Sequence, residues 1–331
     1  MRVSLDELGD LTRRLFLKLD YPIEQTEIIG SILAYAHCRG NFQSLIQEVA
    51  FGTPRFEARR EMIVEKETSV SCMIDAGGNI GMCAMRLATD RLAEKVKSIG
   101  LAIAGIRNSS PPGTGPAGYY AERVAREDFI ALVFCGSSKM VAPYGSCERA
   151  FGSNPIAIAI PTGAEPIVLD MATSVMPVFK VVEALIRDEI LPEGRGYDAQ
   201  GRPTQSPQAI LKAGALRTFD LGPKSSGLAL IVEILSNALT GGCLADDPNN
   251  ENWGNLALAI DPELLVGKEA FLGNVNRLMA HLKGLRRADP AKAISLPGEV
   301  ANLRAHEVLA AQEVEIDDDL FFAYRDKISL M

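Results

Sequence analysis

The sequence predicts an α/β fold, and two observations carry this prediction. Segments rich in Ile, Val and Ala alternate along most of the chain with segments in which apolar residues recur at helical spacing. In the middle of the chain, apolar strands at 156–160 and 166–170 flank Pro161, Thr162 and Gly163, an arrangement typical of a β-hairpin. With 331 residues, the chain is long enough for one large domain or two.

The overall composition indicates a globular protein that does not bind nucleic acid. Apolar residues make up 47% of the chain and charged residues 23%, which is ordinary for a globular enzyme. The net charge of −8 offers no basic surface for a nucleic acid. No run of about 20 apolar residues occurs, and the first ten residues include acids where a signal peptide has an apolar segment. We therefore expect a cytoplasmic protein that does not enter a membrane.

The six cysteine residues do not form a metal-binding pattern. They are widely scattered without a Cys-x-x-Cys pair, and only Cys38 has a histidine, His37, beside it. We expect mostly buried thiols in a reducing compartment and no metal site.

The spacing of apolar residues predicts the order of helices and strands. Further strands are expected at 69–75, 101–106, 129–135 and 256–260, and helices at 4–19, 23–38, 85–97, 117–126, 227–239 and 268–283. Gly and Pro residues at 190–208 indicate a long surface excursion. Residues 39–47 are expected to lead into a polar connection, and residues 313–319 to form an acidic tail.

A helix is predicted to begin at Thr173 or Ser174, directly after the second strand of the hairpin. The first turn of a helix presents backbone N–H groups without partners inside the helix, and these groups favour an anion such as a phosphate or a carboxylate. Ordinary capping by the two hydroxyl groups explains the same residues without any ligand.

The glycine pattern at Gly113, Gly115 and Gly118 matches the G-x-G-x-x-G fingerprint of dinucleotide-binding Rossmann folds. In that fold the next strand ends in an acid that binds the ribose. Here the next predicted strand lies within residues 129–138, which contain no acid. The adjacent prolines at 111–112 also make the approach to the turn unusually stiff. The Rossmann interpretation is therefore disfavoured.

Eight stretches of sequence carry a resemblance that extends over nearly the whole chain. They are RNS, AGYYAERVA, VAPYG, FGSNPIAIAIPT, VLDMATS, PKSSGLALIVEIL, NWGNLALAIDPEL and LPGE. In this order they resemble the malate/L-lactate dehydrogenase family, which includes ureidoglycolate dehydrogenase, diketogulonate reductase, sulfolactate dehydrogenase and cyclic ketimine reductases. The resemblance implies a non-Rossmann domain at 71–287 that binds NADH or NADPH on a largely antiparallel sheet. It also implies a helical domain formed from both chain ends, at 1–70 and 288–331, and a homodimer.

The same resemblance implies a set of cofactor-binding residues. They are Asp170, Met171, Ala172, Thr173, Ser174, Lys224, Pro297, Gly298 and Glu299, with a second contact from Ser137 or Ser138. A lysine and a helix amino terminus both supply the positive potential and the donors that a pyrophosphate needs. Taken without the family, Lys224 is an ordinary surface lysine and Glu299 an acid in the first turn of a helix.

The catalytic motifs of the family are altered in this chain. Its Asp-Ser-His-Gly segment follows an Arg-Gly that matches Arg39 and Gly40, and its histidine then falls on Ser44. A second histidine that some members use falls within 110–114, where no histidine occurs. A basic residue that helps to hold a substrate carboxylate falls on 47–48, which is Gln-Glu here. The remaining histidines are His37, which lies two residues before Arg39 on a predicted helix, and His281 and His306, which are expected at the surface.

These losses have a mechanistic consequence. Reducing a ketone creates an alkoxide that needs a proton, and a positioned general acid typically contributes about 10²- to 10⁴-fold in rate. Reducing a protonated imine creates a neutral amine, so it needs no acid. The missing histidines thus favour a C=N substrate. Ser44, Tyr119 or Tyr120 would relay a proton if one is needed, and Arg39 or Lys180 would orient an anionic group.

The sequence predicts an NAD(P)H-dependent reductase of a small or medium-sized C=N or C=O compound, in a specialised pathway. One alternative is a malate- or lactate-type 2-hydroxy-acid dehydrogenase with a relocated proton donor. Another is a homologue that binds the cofactor without transferring hydride. The three differ in whether imines, 2-oxo acids or neither are reduced.

Overall fold

The computed structural model describes residues 1–56, 60–110, 113–244, 247 and 252–331. The strands are β1 (Arg2–Ser4), β2 (Ile63–Glu67), β3 (Ser71–Asp75), β4 (Leu101–Ser109), β5 (Ile130–Cys135), β6 (Ile156–Ile160), β7 (Ile167–Met171), β8 (Gly196–Tyr197), β9 (Pro203–Thr204), β10 (Ala215–Leu216), β11 (Trp253–Ile260) and β12 (Glu313–Glu315). The α-helices are α1 (Leu5–Lys18), α2 (Ile23–Cys38), α3 (Gln43–Phe51), α4 (Gly81–Ile99), α5 (Ala117–Ala125), α6 (Val178–Ile186), α7 (Pro207–Ala213), α8 (Pro223–Glu233), α9 (Lys268–Lys283), α10 (Glu299–Ala311) and α11 (Asp318–Leu330).

A seven-stranded sheet with the order β2-β3-β4-β11-β5-β6-β7 forms the centre of the described structure. Within it only β3 and β4 run parallel, and the other neighbours are antiparallel. The predicted hairpin is present as β6 and β7, with Ile158 opposite Leu169. The mixed α/β class and the largely antiparallel sheet are confirmed, whereas a Rossmann fold has a mostly parallel sheet.

Small side chains let helices approach one face of this sheet closely. Ala102 and Ala104 of β4 and Ala257 and Ala259 of β11 are fully buried. Helix α4 packs on both strands, and α5 packs on β5 and β6. This face belongs to the largest hydrophobic cluster, which continues into the helices near the two ends of the chain.

The two ends of the chain are more regular than the sequence indicated. The prediction of an acidic tail at 313–319 is wrong, because β12 pairs antiparallel with β1 and is followed by α11. Phe321, Tyr324 and Ile328 lie on one face of α11 and are buried, which explains why this segment is helical. The connection expected after Arg39 likewise contains helix α3.

No helix begins at Thr173 or Ser174, so that prediction is wrong. Ser174 forms a β-bridge with Thr218, and α6 begins only at Val178, after Pro177. A residue that precedes proline avoids the helical conformation, which keeps the segment before Pro177 extended. The backbone N–H of Thr173 donates to the Ser153 carbonyl at 2.8 Å, so it is not free for an anion.

The later elements complete the surface around the sheet. The excursion at 190–208 contains β8 and β9, which form a small sheet with β10 in the order β10-β8-β9. The helix expected at 227–239 is α8 followed by one π-helical segment, Ile234–Ala238. Within the described part of the chain, no helix combines the length and the apolar character that a membrane crossing requires.

Candidate active site

A cavity of about 580 Å³ lies where the terminal helices meet one end of the sheet. Helices α1, α3 and α11 contribute to one wall, through residues such as Phe16, Gln47 and Tyr324. Trp253 at the start of β11 and Phe179 of α6 contribute to another. The volume lies within the range of small-molecule sites, about 300 to 1,000 Å³.

The glycine-rich loop forms part of the cavity wall. Gly113 and Gly115 both have positive φ angles, of 99° and 67°, a conformation that glycine adopts at little cost. A Cβ atom on Gly113 would lie 3.3 Å from the Trp253 ring, and one on Gly115 would lie 2.9 Å from Ile32. The two prolines at 111–112 that precede this loop lie outside the described residues. The glycines therefore shape a cavity rather than a Rossmann turn.

Helix α3 presents Ser44, the residue onto which the histidine implied by the resemblance falls, to the cavity. Ser44, Gln47 and Phe51 are three and four positions apart, so they share one helical face, and all three line the cavity. The Oγ atom of Ser44 lies 2.9 Å from Nε2 of His37, which is on α2. The His37 ring stacks on Phe42 and is only 3% exposed.

Burial keeps His37 neutral at physiological pH. Loss of hydration lowers the pKa of this imidazole to about 4, from an ordinary value of 6.5. The hydrogen bond between Ser44 and His37 therefore joins two uncharged groups near pH 7. Neither group carries a proton that is acidic enough to protonate an alkoxide intermediate with a strong driving force.

This pKa predicts an acid-dependent loss of stability. The folded protein favours the neutral ring of His37. The resulting contribution to the free energy of unfolding is fully present above pH 6.5. It falls as the His37 side chain of the unfolded protein takes up a proton, and it is lost by pH 4. The total loss is about 3 kcal/mol of unfolding free energy. We expect urea unfolding at pH 7, 5 and 4 to show the protein losing more stability than its His37→Gln variant. A constant difference between the two proteins at all three pH values would contradict the buried neutral ring.

Arg39 lies outside the cavity lining and is already paired. Its guanidinium contacts the Glu122 carboxylate at 3.1 Å and donates to Asn302 Oδ1 at 3.1 Å. The same group stacks on the Tyr35 ring, 3.5 Å from its centroid. These contacts connect α2, α5 and α10, so the geometry favours a structural role over substrate binding.

Lys180 and Tyr120 also lie outside the cavity lining. Lys180 is exposed on α6 and forms a salt bridge with Glu183 at 2.6 Å. Tyr120 is fully buried, and its hydroxyl donates to the Thr114 carbonyl at 2.6 Å. Burial raises the pKa of this phenol well above its ordinary value. Tyr120 therefore supports the loop that lines the cavity without reaching the space inside it.

The other candidates from the sequence are also accounted for. Tyr119 is nearly buried, and its hydroxyl lies 3.2 Å from Ser31 Oγ. His281 and His306 are exposed, as expected. Glu48, beside Gln47, is buried and accepts from the Thr53 N–H at 2.7 Å.

The segment with Asp170 to Ser174 is tied to the cavity through Ser153. The Ser153 carbonyl accepts from the hydroxyl of Thr173 at 3.0 Å, in addition to its backbone N–H. The Oγ atoms of Ser153 and Ser137 lie 3.2 Å apart, and Ser137, Ser138 and Ser153 all line the cavity. Ser174 is buried and donates to the Met176 carbonyl at 2.7 Å. One hydrogen-bonded path therefore joins the end of β7 to the cavity.

The LPGE turn lies against the free edge of β7. The N–H of Val168 donates to the Pro297 carbonyl at 3.3 Å. Gly298 has a φ angle of 87°, and a Cβ atom there would lie 2.9 Å from the Val168 carbonyl. Glu299 begins α10, accepts from the Leu296 N–H at 2.8 Å and pairs with Lys283. The motif thus approaches the strand that carries Asp170, Met171 and, just beyond it, Ala172.

Asp170 and Lys224 have contrasting surroundings. Asp170 is exposed as a residue, but burial of its carboxyl group raises its pKa, whereas the Gly118 N–H that donates to it at 2.8 Å acts to lower it. Lys224 is exposed in the first turn of α8 and has no salt bridge within the described residues. The amino terminus of α8 is already bonded to Asp220, which accepts from the N–H of Gly222 at 2.8 Å. Within the described residues, the positive charge that α8 offers to a ligand is therefore the Lys224 side chain.

Several residues that line the cavity were not singled out by the sequence. They are Phe16, Phe51, Phe179, Trp253 and Tyr324, which come from five different elements, namely α1, α3, α6, β11 and α11. Trp253 belongs to one of the quoted motifs, and its rarity was a usable signal because it is the one tryptophan of the sequence. The other four are ordinary apolar positions of amphipathic segments, which local patterns do not separate from core.

Comparison with known proteins places this architecture in a family. The malate/L-lactate dehydrogenase family matches residues 3–323. A malate dehydrogenase of Pyrococcus abyssi is 32% identical, over 90% of this chain and 86% of the relative. A delta(1)-pyrroline-2-carboxylate/delta(1)-piperideine-2-carboxylate reductase of Pseudomonas syringae pv. tomato is 32% identical, over 94% of this chain and 93% of the relative.

Solved structures agree with the sequence comparisons. The delta1-piperideine-2-carboxylate reductase of Pseudomonas syringae superposes with a TM-score of 0.84 at 29% identity, covering 99% of both chains. The sulfolactate dehydrogenase of Methanocaldococcus jannaschii superposes with a TM-score of 0.84 at 27% identity, covering 100% of this chain and 97% of the other. The chain therefore belongs to the malate/L-lactate dehydrogenase family and is an NAD(P)-dependent oxidoreductase.

Proposed function

We propose that this enzyme uses NADH or NADPH to reduce a small or medium-sized C=N compound, an imine or its protonated iminium form. The observation that carries the proposal is the contact between Ser44 and His37 at the cavity. The position of the family's catalytic histidine holds an uncharged hydroxyl, and the nearest histidine is buried and neutral. Such a site lacks a ready acid, which a ketone requires and an iminium does not.

The roles of the chain's own residues follow from this geometry. When bound, the cofactor supplies the hydride. The apolar and aromatic lining excludes water from the reacting group. The Ser44 hydroxyl faces the cavity and orients the nitrogen, while His37 holds the hydroxyl in place. Tyr120 keeps the 113–116 loop in position through its hydrogen bond to Thr114.

The cofactor is proposed to lie along Asp170, Met171, Ala172, Thr173 and Ser174, against the turn of Pro297, Gly298 and Glu299, with further contacts to Ser137 and Lys224. Three features support the fit. The turn lacks a side chain at Gly298, which brings two backbones close together. Ser137 and Thr173 are connected through Ser153. Lys224 is an exposed cation suited to a phosphate.

Replacement of Lys224 tests this placement. Lys224→Ala should raise the Kd for NADPH or NADH about tenfold, because it removes a charged contact worth about 1.4 kcal/mol. The Kd is measured by titrating the nucleotide's own fluorescence. Lys66→Ala is the matched control, since Lys66 is exposed on β2 at the opposite edge of the sheet. Equal effects of the two substitutions would contradict the proposed cofactor site.

The proposed reaction is tested by the initial rate of NADH and NADPH oxidation with cyclic imines and 2-oxo acids in parallel. Reduction of imines with little reduction of oxo acids is the expected result. The second candidate, a 2-hydroxy-acid dehydrogenase, is favoured by the malate dehydrogenase relative and predicts the reverse preference. The third, a cofactor-binding homologue without hydride transfer, predicts binding of nucleotide without turnover.

The larger organisation also stays a proposal. Pairing of β1 with β12 supports a helical unit built from 1–70 and 288–331, beside a sheet-containing unit at 71–287. A homodimer and a cytoplasmic location are predictions from the resemblance and from the composition.

A further inference from the structure

We infer that the substrate carries no carboxylate, sulfonate or other anionic group and is an apolar imine. This inference rests on the proposed reductase function and adds the chemical class of its substrate. It separates this chain from the relatives whose names specify malate, sulfolactate or a cyclic imine carboxylate.

The first observation is that no charged side chain lines the cavity in the described part of the chain. Aromatic and aliphatic groups dominate the wall. The polar side chains that line it are neutral amides and hydroxyls, namely Asn41, Gln43, Ser44, Gln47, Thr53, Thr114, Ser137, Ser138, Ser153 and the phenol of Tyr324. A recognition site for an acid normally offers an Arg or Lys side chain.

The second observation is that several cations close in sequence to cavity residues are engaged elsewhere. Lys139, which lies between Ser138 and Met140 of the lining, donates to the Asp247 carbonyl at 2.7 Å. Arg39 is held by Glu122 and Asn302. Lys180, beside the lining residue Phe179, pairs with Glu183 at the surface. Lys327, one turn from the lining residue Tyr324, pairs with the buried carboxylate of Glu48 at 3.6 Å. Each of the last three would lose an ion pair by turning inward, and the buried Glu48 carboxylate would then be left without a cation.

The third observation concerns Gln47. It lines the cavity one turn after Ser44, and its amide donates to the Gly52 carbonyl at 3.1 Å. It also occupies one of the two positions onto which a carboxylate-holding basic residue of the family falls, and the other, Glu48, carries the opposite charge. The chain therefore has a neutral amide where an acid would need a cation.

These observations decide which ligands the cavity accepts. An ionised carboxylate that leaves water for an uncharged cavity loses its hydration and gains no opposite charge. An apolar ring of similar size gains from the same transfer, because its surface is removed from water. Aromatic faces also favour a delocalised cation such as an iminium.

A pair of matched compounds tests the inference by turnover. We expect kcat/KM for 2-methyl-1-pyrroline to exceed that for 1-pyrroline-2-carboxylate at least about tenfold, since a tenfold ratio needs only a modest difference in binding. Gln47→Arg should raise kcat/KM for the carboxylated imine by about tenfold or more and lower that for the neutral one. Gln47→Leu, which is similar in length and uncharged, should not gain activity on the carboxylated imine.

Binding gives a readout that does not depend on turnover. Trp253 is the one tryptophan of the sequence and lines the cavity, so its fluorescence reports occupancy. In the presence of the oxidised cofactor, 2-methylpyrrolidine should bind more tightly than proline, and Gln47→Arg should reverse the order. Tighter binding of proline, or binding of neither ligand, would overturn the inference. Preference for the carboxylated imine in turnover would also overturn the inference, but it would leave the reductase function intact. Absence of any turnover would contradict the reductase function. The two dissociation constants would still decide whether the cavity prefers a neutral or an anionic ligand.

Discussion

The Ser44→His variant is expected to reduce ketones about 10²- to 10⁴-fold faster than the unsubstituted protein, because a positioned general acid contributes a factor of this size. Ser44 lines the cavity, and the resemblance aligns the family's histidine with it, so an imidazole there is expected to face the substrate. Unlike buried His37, it would lie beside open space and keep a pKa nearer the ordinary value, about 6.5. The measurement is kcat/KM for a ketone at pH 7 with saturating NADH or NADPH.

The gain should be confined to substrates that need a proton. Reduction of a protonated imine should change by only a few-fold, because its product is neutral without further proton transfer. Ser44→Asn is the matched control, since an amide fills similar space and donates a hydrogen bond without acting as an acid. An equal gain with asparagine, or no gain with histidine, would show that the lack of an acid at this position does not limit ketone reduction.

Glu122→Ala is expected to lower the unfolding free energy by about 3 to 5 kcal/mol, the usual result of removing one partner of a buried ion pair. Glu122 is 3% exposed, and its carboxylate contacts Arg39 at 3.1 Å and accepts from the Tyr35 hydroxyl at 2.7 Å. It also accepts from Arg126 at 2.9 Å. Without it, Arg39 would stay largely buried beside Asn302 with no acid to balance its charge.

Urea unfolding at pH 7 measures this effect, with a surface pair as the control. Glu94 pairs with Arg91 at 3.2 Å on the exposed side of α4, and Glu94→Ala should cost less than about 1 kcal/mol. A loss for Glu122→Ala as small as that of the control would contradict the structural role of Arg39. Arg39 would then again be a candidate for binding an anionic group of the substrate.

The central part of the fold follows from local patterns. The hairpin of β6 and β7 is visible as two apolar strands around a Pro-Thr-Gly turn, and α2 is visible from its apolar spacing. Both features depend on residues close together in sequence. The largely antiparallel sheet was expected from the family resemblance, because strand order depends on partners far apart in the chain.

The errors have specific physical causes. Ser174 appeared to cap a helix because its pairing with Thr218 is a contact across the chain that no local pattern reveals. Helix α11 was not predicted because acids dominate its first turn, although Phe321, Tyr324 and Ile328 recur at helical spacing. The spacing of these apolar positions alone predicts the helix.

The candidate site was predictable only in part. Ser44 was found because the family motif marks its position, and the structure places it on the cavity. Its contact with His37 depends on how α2 and α3 meet, and the neutral lining depends on where Arg39 and Lys180 find their acids. The Ser44–His37 contact and the neutral lining both result from tertiary packing, which cannot be inferred from local sequence patterns.

The central claim is that this site performs hydride transfer without a strong general acid. The most direct test is the ratio of kcat/KM for an imine to that for the ketone of the same carbon skeleton, measured at pH 7 with one cofactor. The geometry around Ser44 and His37 predicts a ratio of at least about 10², the lower end of what a general acid contributes. A ratio near or below one would contradict the account, because it would require an effective proton donor in the cavity.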